Sequence, residues 1–243
     1  MWDKEEMKNI IREFECVYDQ RPIKNNDGGM KSPHMLPAWF IMRKLQPELI
    51  IESGVYKGLG TWFFENACPN SKIISLDPNP HFRTYTSNNV EYSTIDFSNI
   101  DIPNIDSDKT LVFFDDHQNA MNRISQCIKK GVHRIVFEDN YPFDQGDCYS
   151  VKKILSGSEY VIDKSGNRTT HDANLDDKKY LESIMEIYEE APPIFRPKNT
   201  RWGGPWSYDT PDPLYSMNDI GSFLTFAEEI FDYTWMCYVK LKK

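Results

Sequence analysis

The stretch Leu49-Ile-Ile-Glu-Ser-Gly-Val-Tyr-Lys-Gly-Leu-Gly-Thr61, with Ile73-Ile-Ser-Leu-Asp77 after it, constrains this chain more than any other. A short apolar run ends in an acid and a glycine, two further glycines follow, and a second apolar run ends in an acid. That order predicts a strand, a tight glycine turn, a helix over 61–67 and a parallel strand, the first unit of a nucleotide-binding α/β sheet. Glycines at 54, 58 and 60 let the backbone pass close to a ligand where a Cβ would collide. Asp77 ends the second strand, where a carboxylate can accept both hydroxyl protons of a ribose. Its spacing from Gly54 fits the roughly 20 residues expected between glycine turn and ribose acid.

The flanking segments extend this unit. Apolar residues from Met7 to Tyr18 recur at helical spacing and predict an amphipathic helix over 4–18. Residues 20–29 form a polar loop ending in turn residues, and 37–45 read as a helix. Residues 90–95 form a third strand ending at Asp96, and 98–108 a loop. Thr110 to Phe114 is a fourth strand, apolar throughout and so buried on both faces, ending in Asp115-Asp116-His117. A helix stopped by Gly131 leads to a fifth strand, which ends in Glu138-Asp139. Beyond a loop over 141–147, helices are expected over 148–155, 176–190 and 223–230, a structured aromatic loop over 191–214, and an antiparallel edge strand over 233–241. The expectation is a single domain over 1–243: a helical cap over 1–47, a core over 48–155, and a C-terminal part over 156–243 carrying a substrate-covering loop.

Composition narrows the partners. A net charge of −9 without a basic block argues against a nucleic-acid backbone as ligand. No stretch reaches transmembrane length, and the charged N-terminus lacks the apolar core of a signal peptide. The five cysteines form no C-x-x-C pair, so a reducing cytoplasm is the expected setting.

In an open parallel sheet, ligands bind beyond the carboxyl ends of the strands. Five strand ends here carry Glu52, Asp77, Asp96, Asp115-Asp116-His117 and Glu138-Asp139. Such crowding of like charge needs compensation by cations or donors. The Asp-Asp-His and Glu-Asp groups suit a hard divalent cation, with Mg²⁺ expected and Ca²⁺ or Mn²⁺ as alternatives. The competing reading is a set of acids capping the next helices. His34, His81, His133 and His171 lack such company and read as ordinary.

Glu52-x-Gly54-x-x-x-Gly58-x-Gly60 departs from the dinucleotide pattern G-x-G-x-x-G, which disfavours a dehydrogenase. It resembles the first motif of class I S-adenosylmethionine (SAM)-dependent methyltransferases. Phe113-Phe-Asp-Asp-His-Gln118 and Val136-Phe-Glu-Asp-Asn-Tyr141 are similar to a metal-dependent O-methyltransferase branch. That branch includes the macrocin-type sugar O-methyltransferases and the cephalosporin hydroxylase family, and the similarity spans roughly 48–153. It implies a doubly wound, mostly parallel seven-stranded Rossmann-like methyltransferase sheet with helices on both faces. It further implies SAM contacts at Glu52, Gly54, Gly58, Gly60, Thr61, Asp77 and Asp96, with Asp96 toward the adenine. Asp115 or Asp116, with Glu138 and Asp139, would hold the cation, and the 20–29 loop would fold over the cofactor.

A cation lowers the pKa of an acceptor hydroxyl, and a base then removes its proton. His117, beside Asp116, is the first candidate for that base, the alternative being a group that orients Asp116 or the metal. Tyr141, Arg201, Trp202 and Trp206 are candidate acceptor contacts, the tryptophans offering flat faces to a sugar ring. The resulting expectation is methyl transfer to a hydroxyl of a sugar, glycan or glycosylated small molecule. Two alternatives stay open: a catechol-like phenol as acceptor, or a module that senses SAM or S-adenosylhomocysteine without chemistry. A homo-oligomer also stays open.

Overall fold

The computed structural model describes residues 1–102, 106–162, 168–172 and 175–243, with side chains described except at 158–162, 168–172, 175, 224 and 225. Helices α1 (Lys4–Asp19) and α2 (Ser32–Leu45) precede strand β1 (Leu49–Ser53). There follow α3 (Leu59–Ala67), β2 (Lys72–Leu76), β3 (Val90–Ser93), β4 (Thr110–Phe114), α4 (Ala120–Lys130), β5 (Arg134–Phe137) and α5 (Val151–Ser156). A separate hairpin, β6 (Ser158–Ile162) with β7 (Arg168–Asp172), leads to α6 (Leu175–Ile184), β8 (Met185–Glu190), α7 (Leu224–Ala227) and β9 (Cys237–Leu241).

Seven strands form one sheet in the order β3-β2-β1-β4-β5-β9-β8, with β1 to β5 parallel and β9 antiparallel to both neighbours. This is the doubly wound, mostly parallel seven-stranded Rossmann-like sheet expected from the sequence. Successive side chains on a strand face opposite ways. Ile50 and Phe113 therefore enter a core with α1, α2 and α3, while Ile51, Val112 and Phe114 enter a second core with α4 and α5. Both faces are covered, which is why the central strands read as unbroken apolar runs.

Several element boundaries differ from the sequence reading. Helix α2 starts at Ser32, with Pro33 in its first turn and Pro37 inside it. Proline is favoured in a first turn, where its missing N–H would have no partner anyway. Helix α3 starts at Leu59, because Gly58 at φ 94° is its cap. The third strand stops at Ser93, and α5 begins only after Ser150, whose hydroxyl accepts from Lys153 N as its cap. Residues 103–105 of the expected 98–108 loop lie outside the described residues.

The expected helix over 176–190 ends at Ile184, and 185–190 are strand β8. There the Met185-Glu-Ile-Tyr188 alternation pairs with β9, and Lys240 meets Glu186 at 2.6 Å. The last strand covers only Cys237–Leu241 and lies inside the sheet, with β8 taking the edge. Residues 233–236 instead form a buried irregular segment with Trp235 at φ 61°. The expected helix over 223–230 is the single turn of α7. No described helix is long and apolar enough to cross a membrane.

Candidate active site

Strand register aligns the candidate residues. Ser53 pairs with Leu76 and with Phe114, and Phe114 pairs with Phe137. The next residues, Gly54, Asp77, Asp115 and Glu138, therefore emerge side by side at the carboxyl edge. Strand order reverses between β1 and β4, and a crevice opens at such a switch point. A cavity of about 330 Å³ lies there, lined by Gly54, Tyr56, Asp77, Asp96, Asp115 and His117 among others.

The glycine turn is held by the ribose-acid candidate. Asp77 Oδ2 accepts from Tyr56 N at 3.0 Å, and Asp77 Oδ1 accepts from Asn79 N at 2.8 Å. The 20–29 loop folds against this turn. Tyr56 Oη donates to the Asp27 carbonyl at 2.9 Å, Lys57 Nζ donates to the Asn25 carbonyl at 3.0 Å, and Gly28 and Gly29 line the cavity.

Glu52, Gly60 and Thr61 sit beneath the turn and do not line that cavity. Glu52 is buried and accepts from Ser75 Oγ at 2.6 Å and from Thr61 Oγ1. Burial pushes its pKa up to about 7 against the pull of those two donors. A Cβ on Gly60 would lie 2.6 Å from Glu52 Oε1, so this glycine makes room for a carboxylate. Asp96 does line the cavity, but both its oxygens are taken by Arg123, at 3.0 and 2.7 Å. That guanidinium holds the Asp96 carboxyl well below the usual range.

The acids beyond β4 and β5 divide. Asp115, His117 and Asp139 each bring one donor atom to within 4.8 Å of the others. Asp116 turns away, meeting Arg123 Nη2 at 2.8 Å and accepting from Ser53 Oγ at 2.6 Å. Glu138 is buried, accepts from Thr234 Oγ1 at 2.8 Å and lies 3.0 Å from His34 Nδ1. Neighbours along an extended chain face opposite sides, so each adjacent acid pair contributes one member to the group. Lost hydration and the Asp139 charge push the Asp115 and Glu138 carboxyls well above the usual range.

These residues fit a cation. Asp139 Oδ1 is a buried carboxylate oxygen without a hydrogen-bond partner, in a group of oxygen and imidazole donors. His117, at φ 53°, lies 2.9 Å from Asp147 Oδ1 and 3.6 Å from Asp139 Oδ1. The Asp147 hydrogen bond pushes the imidazole up to about 10, against a smaller loss of hydration. In this arrangement His117 is cationic at neutral pH. A cation held through this ring requires the neutral imidazole, so metal binding would release that proton.

The expected acceptor contacts also divide. Trp202 is 44% exposed and stacks near-parallel on buried Trp235, at 6.3 Å and 8°. Trp206 packs on Tyr233 at 5.4 Å and Trp235 at 5.3 Å as part of the anchor. Tyr141 is buried and meets Trp202 edge-on at 5.5 Å. Arg201 lies over the Trp202 ring at 5.2 Å.

Sequence reasoning missed Arg123, Ser53, Asp147 and His34. Arg123 belongs to the apolar face of α4 by helical spacing, and a cation on such a face is a readable signal for a buried acid partner. His34 and Asp147 have no local signal, because their partners come from distant segments. The His171 side chain lies outside the described residues.

No family model and no curated protein matches the chain. Solved structures that resemble it include CmcI (N160 form, with SAH), 17% identical, covering 46% of this chain and 62% of CmcI at a TM-score of 0.40. The O-methyltransferase TomG from Streptomyces achromogenes, in complex with SAM, is 15% identical, with 69% and 86% covered and a TM-score of 0.42. A SAM-dependent O-methyltransferase from Thermotoga maritima is 13% identical, with 88% and 68% covered and a TM-score of 0.43. The chain spans 53–62% of the length of the CmcI structures and of the Podospora anserina methyltransferase PaMTH1.

Proposed function

We propose that this chain is a SAM-dependent O-methyltransferase that modifies a hydroxyl of a sugar, glycan or glycosylated small molecule with help from a divalent cation. One observation carries the reading. A single cavity at the sheet's switch point is lined by the glycine turn and Asp77 on one side and by Asp115 and His117 of the donor group on the other.

SAM, when bound, supplies an electrophilic methyl on a sulfonium, and a divalent cation lowers the pKa of a hydroxyl. The chain's own residues do the rest. Gly54 brings the turn close to the ligand, and Asp77 retains lone pairs for ribose hydroxyls while fixing the turn. Asp115, His117 and Asp139 would hold the cation, with His117 oriented by Asp147. Glu52, Thr61 and Gly60 support the turn from below, and Arg123 pairs with both Asp96 and Asp116 at the adenine side.

Calorimetric titration of SAM, in EDTA and then in excess Mg²⁺ with NAD as control, tests the reading. Micromolar SAM binding with NAD silent is expected. Absence of SAM binding in both conditions overturns it.

A further inference from the structure

Loop 142–147 after β5 and loop 201–208 face each other across a second cavity, of about 230 Å³, lined by Asp144, Gln145, Gly146, Trp202, Ser207 and Tyr208 among others. We propose, resting on the methyl-transfer reading, that this cavity seats the acceptor as one neutral pyranose ring. Its apolar face lies on Trp202, and its hydroxyls meet Asp144 and Ser207.

One short loop links the cavity wall to the donor group. Asp147, which holds His117, directly follows Gly146 of the cavity wall. Gly146 in turn lies against Tyr141, where a Cβ would come within 2.0 Å of the ring. Buried Lys153 fixes this loop, donating to the Gly146 carbonyl at 3.1 Å and the Cys148 carbonyl at 2.7 Å.

The lining selects among ligand classes. Trp202 is backed by Trp235, so an exposed aromatic face is held rigid at little entropic cost. Gln145 Nε2 donates to Tyr208 Oη at 3.2 Å, and Tyr208 Oη donates to the Asp144 carboxylate. The Asp144 carboxylate and the Ser207 hydroxyl beside an aromatic plate match a ring with an apolar face and several hydroxyls. A flat phenol would stack but leave most of these groups unpaired, and an anionic acceptor would meet Asp144. The volume lies below the roughly 300–1,000 Å³ of sites for drug-sized ligands, which fits one ring. Trp206 takes no part, being packed into the anchor.

Saturation-transfer NMR tests the assignment, using methyl glycosides of glucose, galactose and mannose, and separately catechol, on SAM-loaded protein with Mg²⁺. The same samples are assayed for SAM binding by calorimetry. Transfer to glycoside ring protons is expected, lost in Trp202→Ala and weakened severalfold in Asp144→Asn. Tyr180→Ala, at an exposed position of α6, retains it, and circular dichroism verifies that each variant is folded. If SAM binds but no glycoside is saturated, or the Trp202 and Asp144 variants behave as wild type, the subsite is wrong and the transfer reading stands. Trp202-dependent saturation of catechol alone overturns the sugar in favour of a phenol. Failure of SAM to bind removes the transfer reading and this assignment together.

Discussion

Gly54 and Asp115 meet backbone to backbone: a Cβ on Gly54 would lie 1.9 Å from the Asp115 carbonyl oxygen. Asp115 N donates to the Ser53 carbonyl at 2.9 Å, and Gly54 N donates to the Leu76 carbonyl at 2.9 Å. The ends of β1, β2 and β4 are thereby joined into one edge. The turn proposed to hold the cofactor and the first acid of the donor group cannot move independently.

Gly54→Ala should therefore disturb both functions. The residue sits at φ 94°, where an L side chain costs roughly 1–2 kcal/mol, before the collision with Asp115 is counted. Urea unfolding should show a loss larger than that, and calorimetry a SAM affinity reduced at least tenfold. Gly131→Ala, at φ 72° with no atom within 4 Å of where its new methyl would sit, should lose only about 1–2 kcal/mol and bind SAM normally.

Asp139→Asn tests the donor group. Wild-type protein should gain thermal stability with millimolar Mn²⁺ or Mg²⁺, by about 2.7 kcal/mol at a concentration 100 times the dissociation constant. The variant should lose most of this gain and keep its SAM affinity, since Asp139 is not among the residues that line the switch-point cavity. An unchanged metal response in the variant would count against Asp139 as a ligand.

Glu52 should make stability fall as pH rises. Its carboxyl titrates near 4.5 when exposed and near 7 in the fold, so the native state holds the extra proton between those values. Stability then declines from about pH 4.5 to about pH 7 and levels off above, by a total on the order of 3 kcal/mol. Glu52→Gln should flatten this part of the stability–pH curve and unfold at higher urea than wild type at pH 8.

Arg123 links two acids that would otherwise face each other. Its removal as Arg123→Met leaves Asp96 and Asp116 without their shared cation; breaking the buried pair with Asp116 costs about 3–5 kcal/mol, whereas half-exposed Asp96 adds little. Adding Asp116→Asn should recover part of that loss. Unfolding midpoints of the two single variants and the double variant measure the coupling.

The run from Leu49 to Asp77 and the apolar strand from Thr110 to Phe114 were sufficient to read a parallel sheet with ligands at its carboxyl edge. Both depend on local pattern: period-two burial along strands, and glycines where side chains cannot fit. The strand at 185–190 was not legible. Its alternation is short and acidic, and becomes strand only through pairing with β9. Which acid of each adjacent pair joins the donor group was likewise hidden, since it follows from side-chain direction at a strand end. The partners Ser53 and Arg123 of Asp116, and His34 and Thr234 of Glu138, come from four separate segments. Local sequence pattern specifies the sheet, its glycine turn and the edge where acids gather. Tertiary structure alone decided which acids are neutralised by Arg123 or buried with His34, and which are left facing one another with an oxygen unpaired. Only packing brings residues so far apart in the chain within hydrogen-bonding distance.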